Sequence, residues 1–182
     1  HSEQLHGFIQ KVLKKADIKM SSIDAVAVSK GPGSFTGLRI GVAAATGICF
    51  ALDLPLIGIN SLQVLAGKVN LIEDTLIFPM FDARRMEVYT KSNNSEGSVI
   101  QELQALVIEE DTFLNDEPFV YFGDGAQKLQ TLWGNREATF DPSIKISATG
   151  QTELALTRYL NQTFDNLSSC KPLYLKQFGI NT

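Results

Sequence analysis

Residues 25–52 read AVAVSKGPGSFTGLRIGVAAATGICFAL, and a change of pattern inside this stretch sets the fold class. Ile23 to Val28 alternates and closes in a short apolar run, which reads as a strand, and Gly31, Pro32 and Gly33 interrupt it. An apolar segment then runs to Leu52, too long for one strand, until Asp53 and Pro55 stop it. Strand, turn and helix in this order are the repeating unit of a parallel sheet. Leu56 to Ile59 supplies a second strand, and Ser61 is placed to cap a short helix ending near Gly67.

Upstream, Leu5, Phe8, Ile9, Val12 and Leu13 recur at helical spacing and predict an amphipathic helix beginning near Ser2, with Lys11, Lys14 and Lys15 on its polar side. Downstream of Asp74 the pattern changes. Leu76 to Phe81 and Met86 to Thr90 read as strands joined at Asp82 to Arg85, followed by a loop from Asn93 to Gly97. Leu106 to Ile108, Phe119 to Phe122 and Ala138 to Phe140 are further short strands. Helices are expected over Gly125 to Leu132 and Thr152 to Asn161. The change divides the chain into two lobes, 1–72 and 73–182.

The 182 residues are 44% hydrophobic and 20% charged, the balance of a globular protein with a real core. Twenty acidic against sixteen basic side chains leave a formal charge of −4, whose field repels polyanions and argues against unaided nucleic-acid binding. Cys49 and Cys170 are too few for a disulfide framework, and no apolar run reaches the roughly 20 residues that span a bilayer. These features point to the cytoplasm, with no membrane partner.

The turn from Lys30 to Gly37 invites a phosphate reading through Gly31, Gly33, Ser34, Thr36 and Gly37, because a helix N-terminus offers free N–H groups to anions. The spacing fits neither a P-loop nor a dinucleotide fingerprint, since no Gly-Lys follows and Thr36 stands where the third glycine belongs. In the structural reading the glycines permit a tight connection, and Ser34 or Thr36 caps the helix. Within the helix, Gly37, Gly41 and Ala45 form one stripe of small residues, and Ala43, Gly47 and Ala51 form another. Leu38, Ile40, Val42, Ile48, Cys49, Phe50 and Leu52 surround the axis, as expected when both sides are covered. Periodicity alone does not decide whether the second cover is the chain's own core or a partner. His1 and His6 are the only histidines, and neither has an evident acid partner with which to activate Ser34.

The stretch from Ala25 to Ala66 resembles the TsaB (YeaZ) family. So do HSEQL at 1–5, FDARRMEVY at 81–89, YFGDGA at 121–126 and PLYLK at 172–176, in the same order. The resemblance implies an α/β, actin-like ATPase (ASKHA, ribonuclease H-like) fold of two related lobes. The family begins with strands ahead of HSEQL, so the first lobe is expected without them. The implied role is a non-catalytic subunit in making threonylcarbamoyladenosine on tRNA. Such a subunit pairs with a TsaD-type transferase, is joined by a TsaE-type ATPase, self-associates as a homodimer and meets tRNA only through the complex. TsaD-like proteins hold a metal with H-x-x-x-H where Ser61 and Leu65 stand here, and carry a Gly-Gly-His turn where Asp82 to Arg85 stand. The resemblance therefore implies no catalytic residue and no metal site.

The interface expected from helix pattern and resemblance is Leu5, Phe8, Ile9, Val12, Leu38, Arg39, Gly41, Val42, Ala45, Thr46, Cys49 and Phe50. No cofactor is expected on the chain alone, with ATP placed at a partner interface. Two alternatives are an ASKHA-type ATPase or phosphotransferase using the turn from Gly31 to Gly37, and a protease acting on its partner.

Overall fold

The computed structural model describes residues 2–67, 69, 75–94 and 96–176; His1 and the lobe boundary expected at 72–73 lie outside them. The fold is α/β, with two compact units. One comprises His1–Asn60 and Gln151–Leu173, the other Ser61–Gly150 and Tyr174–Thr182. The short helix after residue 60 thus belongs with the second unit and the last helix with the first, opposite to a single cut after residue 72.

In the first unit, α1 (Ser2–Ala16) precedes β1 (Val26–Gly31), α2 (Phe35–Leu52) and β2 (Leu56–Asn60). The strands pair in parallel, Val26 opposite Leu56 and Ser29 opposite Ile59, and α2 is the crossover that such pairing requires. Ser34 caps α2 by accepting from the Gly37 N–H at 3.3 Å. At the other end Asp53 turns left-handed, with φ 54°, and its N–H bonds to the Cys49 carbonyl. Replacing Ser34 by alanine removes the cap and should cost about 0.5–1 kcal/mol, read as a fall of a few degrees in thermal denaturation of the whole chain.

Leu38, Val42, Ala45 and Cys49, spaced by four, three and four, are the buried residues of α2. Ala45 and Cys49 join Leu56 in a cluster covered by Val26, Val28, Leu167 and Cys170. The last helix, α4 (Thr152–Leu160), belongs here because the segment it leads into is tied to β2: the Asp165 N–H donates to the Leu56 carbonyl at 2.8 Å.

The second unit holds α3 (Ser61–Ala66) and β3 (Leu76–Asp82), β4 (Glu87–Asn93), β5 (Val99–Val107), β6 (Phe119–Phe122) and β7 (Ala138–Asp141). The sheet order is β5-β4-β3-β6-β7, antiparallel through β3 and parallel beyond it. β3 reads as an unbroken apolar run because both of its faces are covered. Phe78 and Met80 enter a core with Phe119, Tyr121 and Trp133, while Ile77 and Phe81 enter another with Leu62, Leu65 and Phe122. The leucines of α3 therefore anchor it to this sheet.

Two expectations are corrected. Gly125 to Leu132 is not an α-helix; it holds only a 3-10 turn at Gln127–Leu129. Gly125 packs so tightly that an added Cβ would lie 2.6 Å from the Phe81 carbonyl carbon, which keeps this segment pressed to the strand end. β5 is nine residues long where three were expected, because an edge strand with its side chains largely in solvent lacks a clean alternation of apolar residues.

Candidate functional site

The glycine turn is built from inside. Gly31 is buried with φ 117°, and an added Cβ would meet the Leu173 carbonyl at 2.8 Å and Leu38 Cδ1 at 2.9 Å. The Leu173 N–H closes the contact by donating to the Lys30 carbonyl at 2.7 Å. Gly31 is thus a packing glycine, whereas Gly33, Ser34, Thr36 and Gly37 lie nearer the surface. The cation beside the turn is committed elsewhere, since the Lys30 ammonium donates to Asp165 Oδ1. Ser34 Oγ accepts the capping N–H and His6 is exposed on α1.

Asp165 is the centre of a polar clamp. Its Oδ2 accepts the Gly58 N–H at 2.8 Å and Arg158 Nη2 at 3.1 Å, while Arg158 Nη1 donates to the Gly58 carbonyl. Burial alone would raise its pKa. The hydrogen bonds from Lys30 and Gly58, with the charges of Lys30 and Arg158, outweigh burial and hold the carboxyl below the ordinary carboxylate range. Burial also raises the Cys49 and Cys170 thiols, which makes both poor nucleophiles at neutral pH.

The residues expected to meet a partner separate into two sets. Leu38, Val42, Ala45 and Cys49 turn inward and are at most 9% exposed, so they offer a partner little surface. Gly41 leans the same way, with an added Cβ at 3.9 Å from Val28. Leu5, Ile9 and Thr46 are half-buried. Phe8, Val12 and Phe50 stay in solvent at 52%, 66% and 82% exposure. Arg39 is exposed and stacks on Phe35, its guanidinium 3.9 Å from the ring centre. The outer side of α2 also presents Ala43, Gly47 and Ala51, and nothing lies within 4 Å of where a Gly47 Cβ would be. This is the second small-residue stripe of the sequence; of the first, Gly41 and Ala45, both expected at the interface, face β1, while Gly37 is exposed beside Ser34. At eighteen residues, α2 is long and apolar enough to cross a bilayer by composition, yet one stripe of it is sealed against its own strand.

In the second unit a cleft of about 920 Å³ opens beyond the C-terminal ends of β3, β6 and β7, lined by Leu65, Phe81, Gly123, Asp124, Phe140 and Ile144 among others. Connections leave β3 and β6 toward opposite edges of the sheet here, which is where open α/β sheets form crevices. Ser61 and Leu65 are buried at 3% and 0% exposure, and Leu65 is part of the hydrophobic core.

A family model described as TsaD, tRNA N6-adenosine threonylcarbamoyltransferase, matches residues 1–179. The tRNA threonylcarbamoyladenosine biosynthesis protein TsaB of Bacillus subtilis is 35% identical over 103 residues, covering 57% of this chain and 44% of that protein. The TsaB of Haemophilus influenzae is 27% identical over 190 residues, covering 97% of this chain and 80% of the relative. The match thus spans less than half the length of the Bacillus relative. Among solved structures, YeaZ from Pseudomonas aeruginosa superposes with a TM-score of 0.76 at 24% identity, over 96% of this chain and 85% of that one. A second, described as similar to peptidase YEAZ from the same organism, gives 0.77 at 23% identity, over 97% and 84%. At these identities the superpositions establish the α/β fold.

Proposed function

Because the chain belongs to the TsaB (YeaZ) family, within the TsaD-type family whose model spans residues 1–179, we propose that it is a non-catalytic subunit of the tRNA threonylcarbamoyladenosine machinery. It docks a TsaD-type transferase through the outer sides of α1 and α2. The observation that carries this reading is the exposure of Phe8 and Val12 on α1 and of Phe50 on α2, where the small residues Ala43, Gly47 and Ala51 are exposed as well. Large exposed aromatic and aliphatic groups on a helix that also admits close backbone approach favour a protein partner. The same surface serves self-association as a homodimer, so transferase and second copy compete for it. A TsaE-type ATPase joins the assembly, ATP binds at a partner interface, and tRNA enters through the complex in the cytoplasm. The two units act as the related lobes of an ASKHA-type fold.

The non-catalytic assignment is supported by Leu65, a core residue where metal-holding relatives place an imidazole that no leucine can replace as ligand. Reconstitution tests the whole reading. Mixing this chain with TsaD- and TsaE-type proteins, ATP, a threonylcarbamoyl donor and unmodified tRNA should yield the modified nucleoside, and leaving this chain out should reduce the yield by at least tenfold. An unchanged yield without it would remove the proposal.

A further inference from the structure

We propose that the hairpin tip carrying Arg84 and Arg85 is a contact point for the backbone phosphates of RNA; the inference rests on the tRNA reading above. The tip joins β3 to β4. It is held by the Ala83 N–H on the Glu87 carbonyl at 3.0 Å, the Glu87 N–H on the Arg84 carbonyl at 3.1 Å and the Arg84 N–H on Asp82 Oδ1 at 3.2 Å. Both arginines have left-handed backbones, φ 73° and 50°. Glycine or asparagine relieves the strain at such positions, so two consecutive arginines there are a departure from what the turn prefers.

The side chains are exposed, and among the described residues neither guanidinium is paired with an acid. The adjacent carboxylates are already engaged, Asp82 by the Lys128 ammonium and Glu87 by that of Lys176. The tip therefore presents two uncommitted cations on a chain whose formal charge is −4. Guanidinium forks match phosphate oxygens in geometry as well as charge. A polynucleotide track offers single charges that a narrow tip engages without a pocket. An acidic protein segment would need apolar cover beside the charges, and the tip offers only Met86, at 38% exposure. A contact by two cations is also weak enough to matter only when a complex supplies the rest of the RNA surface.

The test uses the complex of the full chain with its TsaD-type partner and an unmodified tRNA transcript that the complex modifies. Glycine accepts positive φ, so the double variant Arg84→Gly with Arg85→Gly should keep its Tm or gain about 2–4 °C. Its complex should bind the tRNA about tenfold more weakly, and its plot of log affinity against log salt should be shallower by about 2. Arg84→Lys with Arg85→Lys should retain most of the affinity. Unchanged affinity and salt slope in the glycine variant would overturn the tip while leaving the tRNA reading intact. Loss of partner co-purification would overturn it by making the tip a protein contact. A wild-type complex that binds no tRNA would overturn both.

Discussion

Phe50→Asp should abolish co-purification with a TsaD-type partner, a loss of at least a hundredfold in affinity, while the chain's own Tm stays within a degree or two. Phe50 is 82% exposed, so in the free chain the substitution only moves a carboxylate into water it already has. In a complex, an aromatic anchor of this kind contributes about 2–3 kcal/mol through burial. Its replacement must in addition strip the carboxylate of water, which costs several kcal/mol more if no cation meets it. Gly47→Arg examines the same surface by sterics. With nothing within 4 Å of the Cβ position the arginine has room in the free chain, and helix propensity favours it over glycine by about 0.5–1 kcal/mol. It should therefore stabilise the free chain and still block docking. Ala45→Arg provides the contrast: at 5% exposure it drives a charge into the cluster of Cys49 and Leu56 and should unfold the unit. Normal co-purification by both Phe50→Asp and Gly47→Arg would rule out this face.

The choice between the two small-residue stripes shows where sequence reading stops. Both stripes of α2 repeat at four and both contain glycine and alanine, so spacing ranks them equally. What separates them is the rotation of the helix about its axis, which is set by the packing of Val26, Val28, Leu167 and Cys170 on the cluster that holds Ala45 and Cys49. Those contacts come from a strand before the helix and a segment more than a hundred residues after it. The parallel β1 and β2 with their crossover helix were legible because apolar period, glycine turn and terminal Asp53 are all local signals. β5 was not, because its residues answer to pairing with β4 rather than to burial. The clamp at Asp165 carries no local signal. Lys30, Gly58, Arg158 and Asp165 are scattered along the chain, and only folding brings their charges together. Arg84 and Arg85 stand in the stretch FDARRMEVY, but their left-handed backbone has no signature in it.

Asp165→Asn should destabilise the first unit by about 3 kcal/mol at pH 7, with most of that loss disappearing in acid. The carboxylate side chain is 13% exposed, and it accepts from the Lys30 ammonium, the Gly58 N–H and Arg158. Removing its charge leaves two cations, each about 30% exposed, facing each other with a weak acceptor between them. Breaking a largely buried pair by deleting one partner costs about 3–5 kcal/mol, and the remaining solvent access of the cations places this case at the lower end. The sign of the pH dependence follows from the depressed pKa. An acid held more strongly ionised in the folded state than in the unfolded one contributes fully above its unfolded value. That contribution fades as pH falls through the unfolded value toward the lower folded one. The native chain should therefore lose stability more steeply than the variant below about pH 4, and the two denaturation curves should converge there. Chemical denaturation at pH 7, 5 and 3 measures this directly. A gap that is the same at all three pH values would mean that Asp165 acts through shape rather than charge, and that the clamp is not what ties its segment to β2.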